Sequence, residues 1–440
     1  MYTGTKKSEL KIYVSNLFGW RTNRKLIVIE SDDWGSVYMS DKRALEEMKT
    51  KGIPLDSHYL KNDTLESNED MEMLREVLRK HKDASGRHVV MTGVNVVANP
   101  NFEKIKANGF NKYEYELFPE TAKRYPKSDR IHSLWKQGIE ERLLVPVFHG
   151  REHLNVQRWM KLLQEGNETL RIAFEYSVST LPREINGEEL TDLRAAFDID
   201  TQNDLKYLEK VIDTGLDEFE SLFGYKSTFF IPTNGPFNNN LEELLSKKGV
   251  KYIGTGKIQS EPLGEGKYKK HFRYLGKKNR LGQMYLTRNC FFEPISEEFP
   301  KERDWVASCL KEIEIAFNCH KPATISSHRV NYMGTINPEN RAEGLKKLDQ
   351  LLQIAGGASK MAGQEVKTLL LSQKDLIEAG VMDMSHCVDV IEDVFSLIGK
   401  GDYLMGGPLE NEHGQMIYFP KEERFPGMPV TGPDRRFMAM

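Results

Sequence analysis

The chain has 440 residues, of which 39% are hydrophobic and 29% charged, so it can bury a large core as one α/β domain or two smaller ones. Its 62 basic and 65 acidic residues give a formal charge of −3, which excludes a broad basic surface for nucleic acid or an anionic membrane. A neutral or weakly charged substrate fits this balance better.

The cysteines and the amino terminus suggest an ordinary intracellular setting. The four cysteines form no CxxC pair, which disfavours a zinc ribbon or a redox site and suits buried thiols in a reducing compartment. The first residues contain no apolar run of signal-peptide length, and no stretch of about 18 apolar residues occurs anywhere. We therefore expect a cytoplasmic protein without membrane insertion.

Short apolar segments alternate with amphipathic stretches along the chain. Strands are predicted at 25–30, 88–97, 143–148, 227–232, 250–255, 322–327 and 366–372. Helical periodicity begins near residues 74, 156, 204, 240, 305 and 340. This alternation predicts parallel strands covered by helices, arranged as an open doubly wound sheet or as a β/α barrel.

Two segments depart from the alternation. Residues 263–300 contain the basic stretch KYKKHFRYLGKKNRLG, which we interpret as a solvated insertion with loop or hairpin character. The chain after about residue 400 is rich in Gly and Pro, which predicts an irregular arm. The expected organisation is a domain over 1–380 and a C-terminal extension over 381–440.

The first polar cluster, ESDDWGS, follows the strand at 25–30. Its adjacent carboxylates, Asp32 and Asp33, are costly beside a buried strand unless they are paired, hydrogen-bonded or bound to a cation. Neighbouring side chains on an extended segment point in different directions, so one can face a metal and the other a reacting water. An Asx turn explains this segment equally well when it is taken alone.

The second cluster, HGREHLN, follows the strand at 143–148. His149 and His153 are four residues apart and share one side of a helical turn, which lets both imidazoles reach one first-row metal. The HExxH motif of metalloproteases is absent, because Gly150 follows the first histidine.

The third cluster, SSHRVNYMG, follows the strand at 322–327 and contains His328, a residue type suited to proton transfer near neutral pH. A lone histidine at a strand end is more often structural. All three clusters follow strands, however, and ligand sites in parallel α/β folds gather at the carboxyl ends of strands. Together they indicate a metal site of two histidines and one carboxylate, which can activate water and polarise a carbonyl.

The motifs ESDDWGS, HGREH, FIPTNGPFN and SSHRV follow the order of the motifs of the polysaccharide deacetylase (NodB-homology) family, which the chain resembles over about residues 24–380. The resemblance implies a distorted (β/α) barrel with insertions. It also implies a divalent metal, usually zinc, and hydrolysis of an N- or O-acetyl group on a sugar.

The resemblance assigns roles to five residues by position: Asp33, His149 and His153 as metal ligands, Asp32 as catalytic base and His328 as the acid for the leaving group. The segment 230–238 matches the stretch that supplies an oxyanion-binding backbone amide. Asn234 and Gly235, within that segment, are therefore expected to contact the substrate.

The third motif departs from the family pattern. The family's arginine, which steadies the catalytic base, is Ile231 here, and Arg288 or Arg329 is expected to replace it from elsewhere. Both arginines are also expected to contact substrate. Trp34 adjoins both aspartates and is expected to stack on a sugar ring. The stretch ERDW at 302–305 only partly matches the family's acidic motif.

The leading interpretation is a zinc-dependent hydrolase that deacetylates a sugar or polysaccharide precursor and has no nucleic-acid partner. One alternative keeps the fold and metal but acts as an amidase, or as a glycosidase that pairs Asp32 with Asp198 or Asp200 across the scissile bond. A second alternative is a non-catalytic carbohydrate-binding protein. Ile231 favours that reading, and retention of the five site residues disfavours it.

Overall fold

The computed structural model describes residues 6–83, 85–181, 184–185, 188–189, 192–296, 303–356, 360–361, 364–365, 369–370, 404–408, 415–419, 430–431 and 434–438. The chain divides into two compact units, Met1–Lys374 and Asp375–Met440. The predicted domain boundary at 380/381 and the end of the predicted insertion at 297–300 lie outside the described residues, so those limits stay predictions.

The first half of the large unit contains α1 (Lys6–Ser15), β1 (Leu26–Trp34), α2 (Lys42–Thr50), α3 (His58–Asn62), α4 (Asn68–Lys80), β2 (Met91–Val96), β3 (Ala98–Pro100), α5 (Phe102–Ala107), β4 (Tyr115–Leu117), α6 (Phe118–Ala122), α7 (Ile131–Glu140), β5 (Leu144–Gly150), α8 (Val156–Gln164) and α9 (Glu168–Glu175). Two short strands follow, β6 (Glu184–Ile185) and β7 (Glu188–Glu189).

The second half contains α10 (Asp204–Phe223), β8 (Phe229–Phe230), a 3-10 turn (Asn239–Leu241), α11 (Glu242–Lys247), β9 (Tyr252–Gly254), β10 (Ile258–Gly264), β11 (Lys267–Phe272), β12 (Met284–Leu286), β13 (Cys290–Phe291), α12 (Trp305–Asn318), β14 (Ala323–His328), a second 3-10 turn (Arg329–Tyr332), α13 (Pro338–Gly356), β15 (Lys360–Met361), β16 (Gln364–Glu365) and β17 (Leu369–Leu370). Every strand and helix predicted from periodicity has a counterpart here.

Eight parallel strands form the central sheet, in the order β12-β9-β8-β5-β2-β1-β14-β13, and β17 pairs with the start of β1. The sheet curls into a half-barrel with helices packed against it, which confirms the distorted β/α barrel and excludes the flat doubly wound alternative. All nine residues of β1 are buried, as parallel strands covered on both faces require.

Helix signals in the sequence explain where the covering helices begin and end. Ser67 and Asp70 form a reciprocal capping box at the start of α4. The 20-residue α10 ends at Gly224, whose φ of 80° is the left-handed conformation that glycine adopts without steric cost. These helices bury their apolar faces against the sheet, around a core that includes the edge-to-face pair Trp34 and Trp135.

The segment interpreted as a surface insertion, residues 263–300, contributes to two different sheets. β10 and β11 form an antiparallel hairpin apart from the main sheet, and β11 is mostly exposed, in keeping with its lysine-rich sequence. β12 and β13, further along, belong to the main sheet at its two edges. Strands of two or three residues carry too little periodicity to be recognised in sequence.

The smaller unit is described only in part. Four strands, β18 (Leu404–Pro408), β19 (Gln415–Phe419), β20 (Val430–Thr431) and β21 (Asp434–Met438), form an antiparallel sheet in the order β18-β19-β21-β20. The expectation of an irregular arm did not anticipate these strands, because Gly and Pro dominate the local composition. Among all described residues, no helix is long and apolar enough to cross a membrane.

Candidate metal centre

Asp33 lies near the carboxyl end of β1, where the strand is distorted. The pairing of β1 with β2 shifts register between Ser31 and Trp34. Asp33 itself has a φ of 78°, a strained conformation for a residue with a side chain. Such a bulge redirects a side chain, and here the buried carboxylate of Asp33 meets two imidazoles.

The two histidines reach Asp33 from the end of β5. His149 is the penultimate residue of β5, and His153 lies in the turn before α8. The expectation that both lie on one helical turn was therefore wrong. Gly150, with a φ of 147°, lets the chain leave the strand sharply, and this turn brings the imidazole centroids within 5.1 Å of each other.

The three side chains form a compact set of potential metal ligands. The Nε2 atoms of His149 and His153 lie 3.4 and 3.0 Å from Oδ1 of Asp33. One donor atom from each of the three lies within 4.8 Å of the others. Two imidazoles and one carboxylate are the donor set of many zinc and other first-row metal sites. The residues present therefore fit a divalent cation.

The second nitrogen of His149 has a partner that fixes the ring. Nδ1 lies 2.7 Å from the backbone oxygen of Ile231, and a carbonyl oxygen can only accept. Nδ1 must therefore carry the proton, which leaves the lone pair of Nε2 directed at Asp33. A backbone carbonyl on the distal nitrogen is a frequent support for histidine ligands. Ile231 thus contributes through its main chain.

Charge and burial keep Asp33 and His153 in the states that bind a metal. Burial acts to raise the pKa of Asp33, but the neighbouring His153 outweighs it, and the pKa lies well below its usual value. Burial lowers the pKa of His153, although Asp33 opposes this effect. An ionised carboxylate and a neutral imidazole are the forms that coordinate metals.

Asp32 points to Arg288. Nη1 and Nη2 of Arg288 each donate to one carboxylate oxygen of Asp32 at 2.6 Å, and its Nε donates to Glu30 at 2.6 Å. Burial acts to raise the pKa of Asp32, but Arg288 more than offsets it and the pKa is lowered. Of the two arginines expected to replace the missing motif arginine, Arg288 is the one that contacts Asp32.

His328 is the last residue of β14, the strand that pairs with β1. Asp32 and His328 are register partners across β1 and β14, and Nε2 of His328 lies 3.8 Å from Oδ2 of Asp32. Nδ1 of His328 lies 2.6 Å from Oε1 of Glu293. Burial acts to lower the pKa of His328, but Glu293 outweighs it and raises the pKa to about 10.

Glu293 is a site residue that the sequence analysis missed. Its second oxygen accepts a hydrogen bond from Asn331 at 2.7 Å, so the carboxylate is held at both ends. The acidic motif was instead sought in ERDW, where Asp304 caps α12. The available signal was the position of Glu293, two residues after β13 in the sequence TRNCFFEP.

A cavity of about 540 Å³ opens above these groups. Among the predicted site residues, those that line it are Asp32, Asp33, His149, His153, Asn234, Gly235, Arg288 and His328. Asn234 and Gly235 form a tight turn after β8, with φ values of 52° and 94°. The amide of the Asn234 side chain is directed away to Asp192, at 3.1 Å.

Trp34 and Arg329 do not line this cavity. Trp34 is fully buried against Trp135, and its indole N–H donates to Ser31 at 3.1 Å. Arg329 is fully buried and donates to Asp63 and Glu66 at 2.9 and 2.7 Å. The expectation that these two residues contact substrate is corrected accordingly, because neither presents a surface to the cavity.

The carboxylates considered for a glycosidase are held elsewhere. Arg158 donates to Asp198 at 3.0 Å and to Asp200 at 2.8 Å, and Tyr268 donates to Asp198 at 2.7 Å. Neither aspartate lines the cavity that contains Asp32. The structure therefore does not bring Asp198 or Asp200 to Asp32, as the glycosidase alternative required.

Three further residues that the sequence analysis missed lie beside His153 and His328. The Tyr38 hydroxyl lies 3.4 Å from the ring nitrogens of His153, and the Tyr59 ring packs edge-on against His328 at 5.5 Å. The guanidinium of Arg194 lies 5.9 and 5.8 Å from these two tyrosine rings. Isolated tyrosines in loops and short helices carry no sequence pattern that marks such a role.

Comparisons with known proteins identify only distant similarity. No family model matches the chain, and no curated protein matches it. Among solved structures, a protein assigned as a polysaccharide deacetylase from Mycobacterium smegmatis aligns at 9% identity with a TM-score of 0.39, covering 82% of this chain and 92% of that one. PuuE allantoinase aligns at 12% identity with a TM-score of 0.40 and the same coverages.

A third similar structure is the 4-α-glucanotransferase from Thermococcus litoralis, at 10% identity and a TM-score of 0.38. The alignment covers 81% of this chain but only 40% of that enzyme. All three TM-scores lie below 0.5, so the chemistry assigned to this chain rests on its own residues.

Proposed function

We propose that this protein is a metal-dependent hydrolase that removes acetyl groups from a carbohydrate. The observation that carries the proposal is the convergence of Asp33, His149 and His153 within 4.8 Å, beside Asp32 and His328 at one cavity. A protein that only binds carbohydrate does not need a general base such as Asp32 and a general acid such as His328 beside a set of metal ligands.

Asp33, His149 and His153 would hold the cation, with zinc as the proposed ion. A divalent cation at this position supplies Lewis acidity to a carbonyl oxygen and lowers the pKa of water. Three protein ligands would leave further coordination positions for water and substrate, which is the arrangement that distinguishes catalytic from structural sites.

Asp32 is the proposed general base. The bidentate contact with Arg288 holds its carboxylate ionised and fixes its orientation. An ionised carboxylate next to the ligand set can accept a proton from the attacking water as the new C–O bond forms. Arg288 is a positioning residue in this scheme, because it acts through Asp32 and Glu30.

His328 is the proposed general acid. Glu293 keeps its imidazole protonated at neutral pH and fixes the ring, so Nε2 can donate a proton to the departing amine or alcohol. The base and the acid are register partners on adjacent strands, which places both on the same cavity. The backbone N–H of Asn234 is the proposed donor to the developing oxyanion, since the N–H of Gly235 donates to the backbone oxygen of Pro232 at 3.3 Å.

Two adjacent aspartates provide a matched test of these roles. Purified wild type, Asp32→Asn and Asp33→Asn are incubated with N-acetylglucosamine oligomers and with O-acetylated xylan, and released acetate is measured. We expect acetate from the wild type only. Asp32→Asn loses the base but keeps all three metal ligands, so it should retain bound metal. Asp33→Asn loses one ligand and should lose the metal.

Two results contradict the proposal. Acetate release by Asp32→Asn at the wild-type rate removes the base assignment. A wild-type protein that holds its metal yet releases acetate from neither substrate class, while hydrolysing a cyclic amide such as a hydantoin, supports the amidase alternative instead.

A further inference from the structure

A second cavity, of about 490 Å³, opens beside the catalytic one and differs from it in chemistry. It lies between α1, the β10–β11 hairpin and the residues that lead into β13. The two cavities adjoin, because four residues line both: Ser15, Lys257, Leu275 and Thr287. We call the second cavity the α1 groove.

The walls of the α1 groove are apolar and open to solvent. Leu10 and Val14 of α1 are 63% and 50% exposed, and Phe18 and Phe272 are 56% and 47% exposed. The two phenylalanine rings meet edge to face at 5.6 Å, which shapes one wall. Such large apolar side chains side by side at the surface mark a binding site more often than isolated ones do.

The charged side chains that line the α1 groove are all positive. Its lining contains four cationic side chains and, among the described residues, no carboxylate; the cations are Lys11, Lys257, Arg273 and Lys321. Lys321 is already occupied by the backbone oxygens of Gly19 and Trp20. Arg273 is likewise held, by Gln259 and over the ring of Tyr285.

Lys257 is the cation with unused capacity at the junction of the two cavities. Its Nζ donates to the Ser15 hydroxyl at 2.8 Å, and no described carboxylate lies within ion-pair distance of it. Burial lowers the pKa of Lys257, and the more distant Cys290, Cys319 and Glu312 oppose this effect only in part, because none of the described carboxylates contacts the ammonium group. An anionic group placed here would supply that counter-ion.

We propose that the α1 groove binds the hydrocarbon chain of an anionic amphiphile whose carbohydrate enters the catalytic cavity and whose anionic group lies at Lys257. This inference rests on the proposed function and narrows its substrate from an acetylated carbohydrate in general to an acetylated sugar that is attached to a lipid through an acidic group. The apolar walls would contact the hydrocarbon chain, and Lys257 would bind the anionic group. The residues that line both cavities lie where the hydrocarbon and the sugar meet.

Binding of simple probes tests the inference without requiring catalysis. Decyl phosphate, decyl β-maltoside and inorganic phosphate are titrated into the full chain by calorimetry, below the critical micelle concentration. We expect saturable binding of one decyl phosphate per chain, weaker binding of the neutral decyl maltoside, and no detectable binding of inorganic phosphate alone.

Variants on exposed positions assign the site. Val14→Asp and Leu10→Asp each place a carboxylate in the α1 groove, and each should weaken decyl phosphate binding at least about tenfold. Ile354→Asp is the matched control, because Ile354 is 45% exposed on α13, away from the groove lining, and should bind as the wild type does. Lys257→Gln should weaken decyl phosphate but not decyl maltoside.

Three results overturn the inference. They are non-saturable uptake of decyl phosphate, equal weakening by Val14→Asp and Ile354→Asp, and a wild-type dimer that Val14→Asp converts to a monomer without any binding of amphiphile. The last result makes the groove a surface for a second copy of the chain, and light scattering detects it. His149→Ala should bind decyl phosphate normally, so loss of the metal site and loss of the groove are distinguishable.

Discussion

Arg288 contacts Asp32 through both of its terminal nitrogens, at 2.6 Å each, and reaches Glu30 with the third nitrogen of the same guanidinium. One arginine therefore donates hydrogen bonds to two buried carboxylates and orients the one that faces the metal ligands. The sequence analysis expected an arginine at position 231 to hold the base, but Ile231 stands there. Arg288, in the segment between β12 and β13, makes this contact instead.

The first prediction concerns that contact. Arg288→Lys keeps the charge but cannot serve two carboxylates with a rigid fork, so kcat for acetate release should fall about 10²-fold. Bound metal should remain at the wild-type level, because Arg288 contacts no ligand. Arg79→Lys, which changes an exposed pair with Glu141, is the control and should keep wild-type kcat. Loss of metal in Arg288→Lys contradicts the assigned role.

The second prediction concerns Arg329, whose role is structural. Arg329→Met leaves Asp63 and Glu66 buried without their counter-ion, so the free energy of unfolding should fall by about 3–5 kcal/mol. Urea unfolding followed by tryptophan fluorescence measures it. Arg130→Met removes an exposed pair with Glu72 and should leave the midpoint unchanged. Equal midpoints for both variants contradict this account.

The third prediction concerns the acid. In the metal-free protein, histidine ¹³C chemical shifts should show a pKa of about 10 for His328, assigned by the signal missing from His328→Asn. Glu293→Gln removes the carboxylate that raises this pKa, which should then fall toward about 6.5. An unchanged pKa in Glu293→Gln means that Glu293 does not hold the acid in its protonated form.

The fourth prediction concerns stability and pH. Burial raises the pKa of Glu312 to about 7, although the Phe291 amide and Arg303 oppose it. The folded-state pKa lies above the unfolded one, so this group's contribution to stability is complete below about pH 4.5 and is lost as the pH rises through 7. Glu312→Gln removes the penalty for ionisation, and relative to wild type it should gain up to about 3 kcal/mol between pH 5 and pH 8.

Unfolding curves of both proteins at pH 5 and pH 8 measure the fourth prediction. The difference between the two proteins should grow with pH. A difference that stays constant shows that Glu312 titrates normally in the folded state.

The sequence predicted the fold and the grouping of Asp33, His149 and His153, because both depend on local patterns. β1 is an apolar run followed by polar residues, and that pattern places Asp33 near the carboxyl end of a strand. His328 likewise is the last residue of β14. The helical geometry assumed for His149 and His153 was wrong, because a glycine after the first histidine turns the chain where spacing alone suggests a helix.

The residues that support the site were harder to predict, since their partners are distant in sequence. Glu293 and His328 are 35 residues apart, and Arg288 and Asp32 are 256 residues apart. Trp34 was assigned to the substrate from its neighbours, but residues adjacent in a strand point to opposite faces, and a bulge at Asp33 changes that alternation. Only three-dimensional packing determines which side chains face the cavity.

The most direct test of the central claim is the metal content per chain, measured by elemental analysis on wild type, Asp32→Asn, Asp33→Asn, His149→Ala and His153→Ala, with folding checked by circular dichroism. We predict about one zinc or other divalent first-row ion per chain in wild type and in Asp32→Asn, and loss of the ion from the other three folded variants. A folded wild type that holds no metal after incubation with zinc contradicts the account.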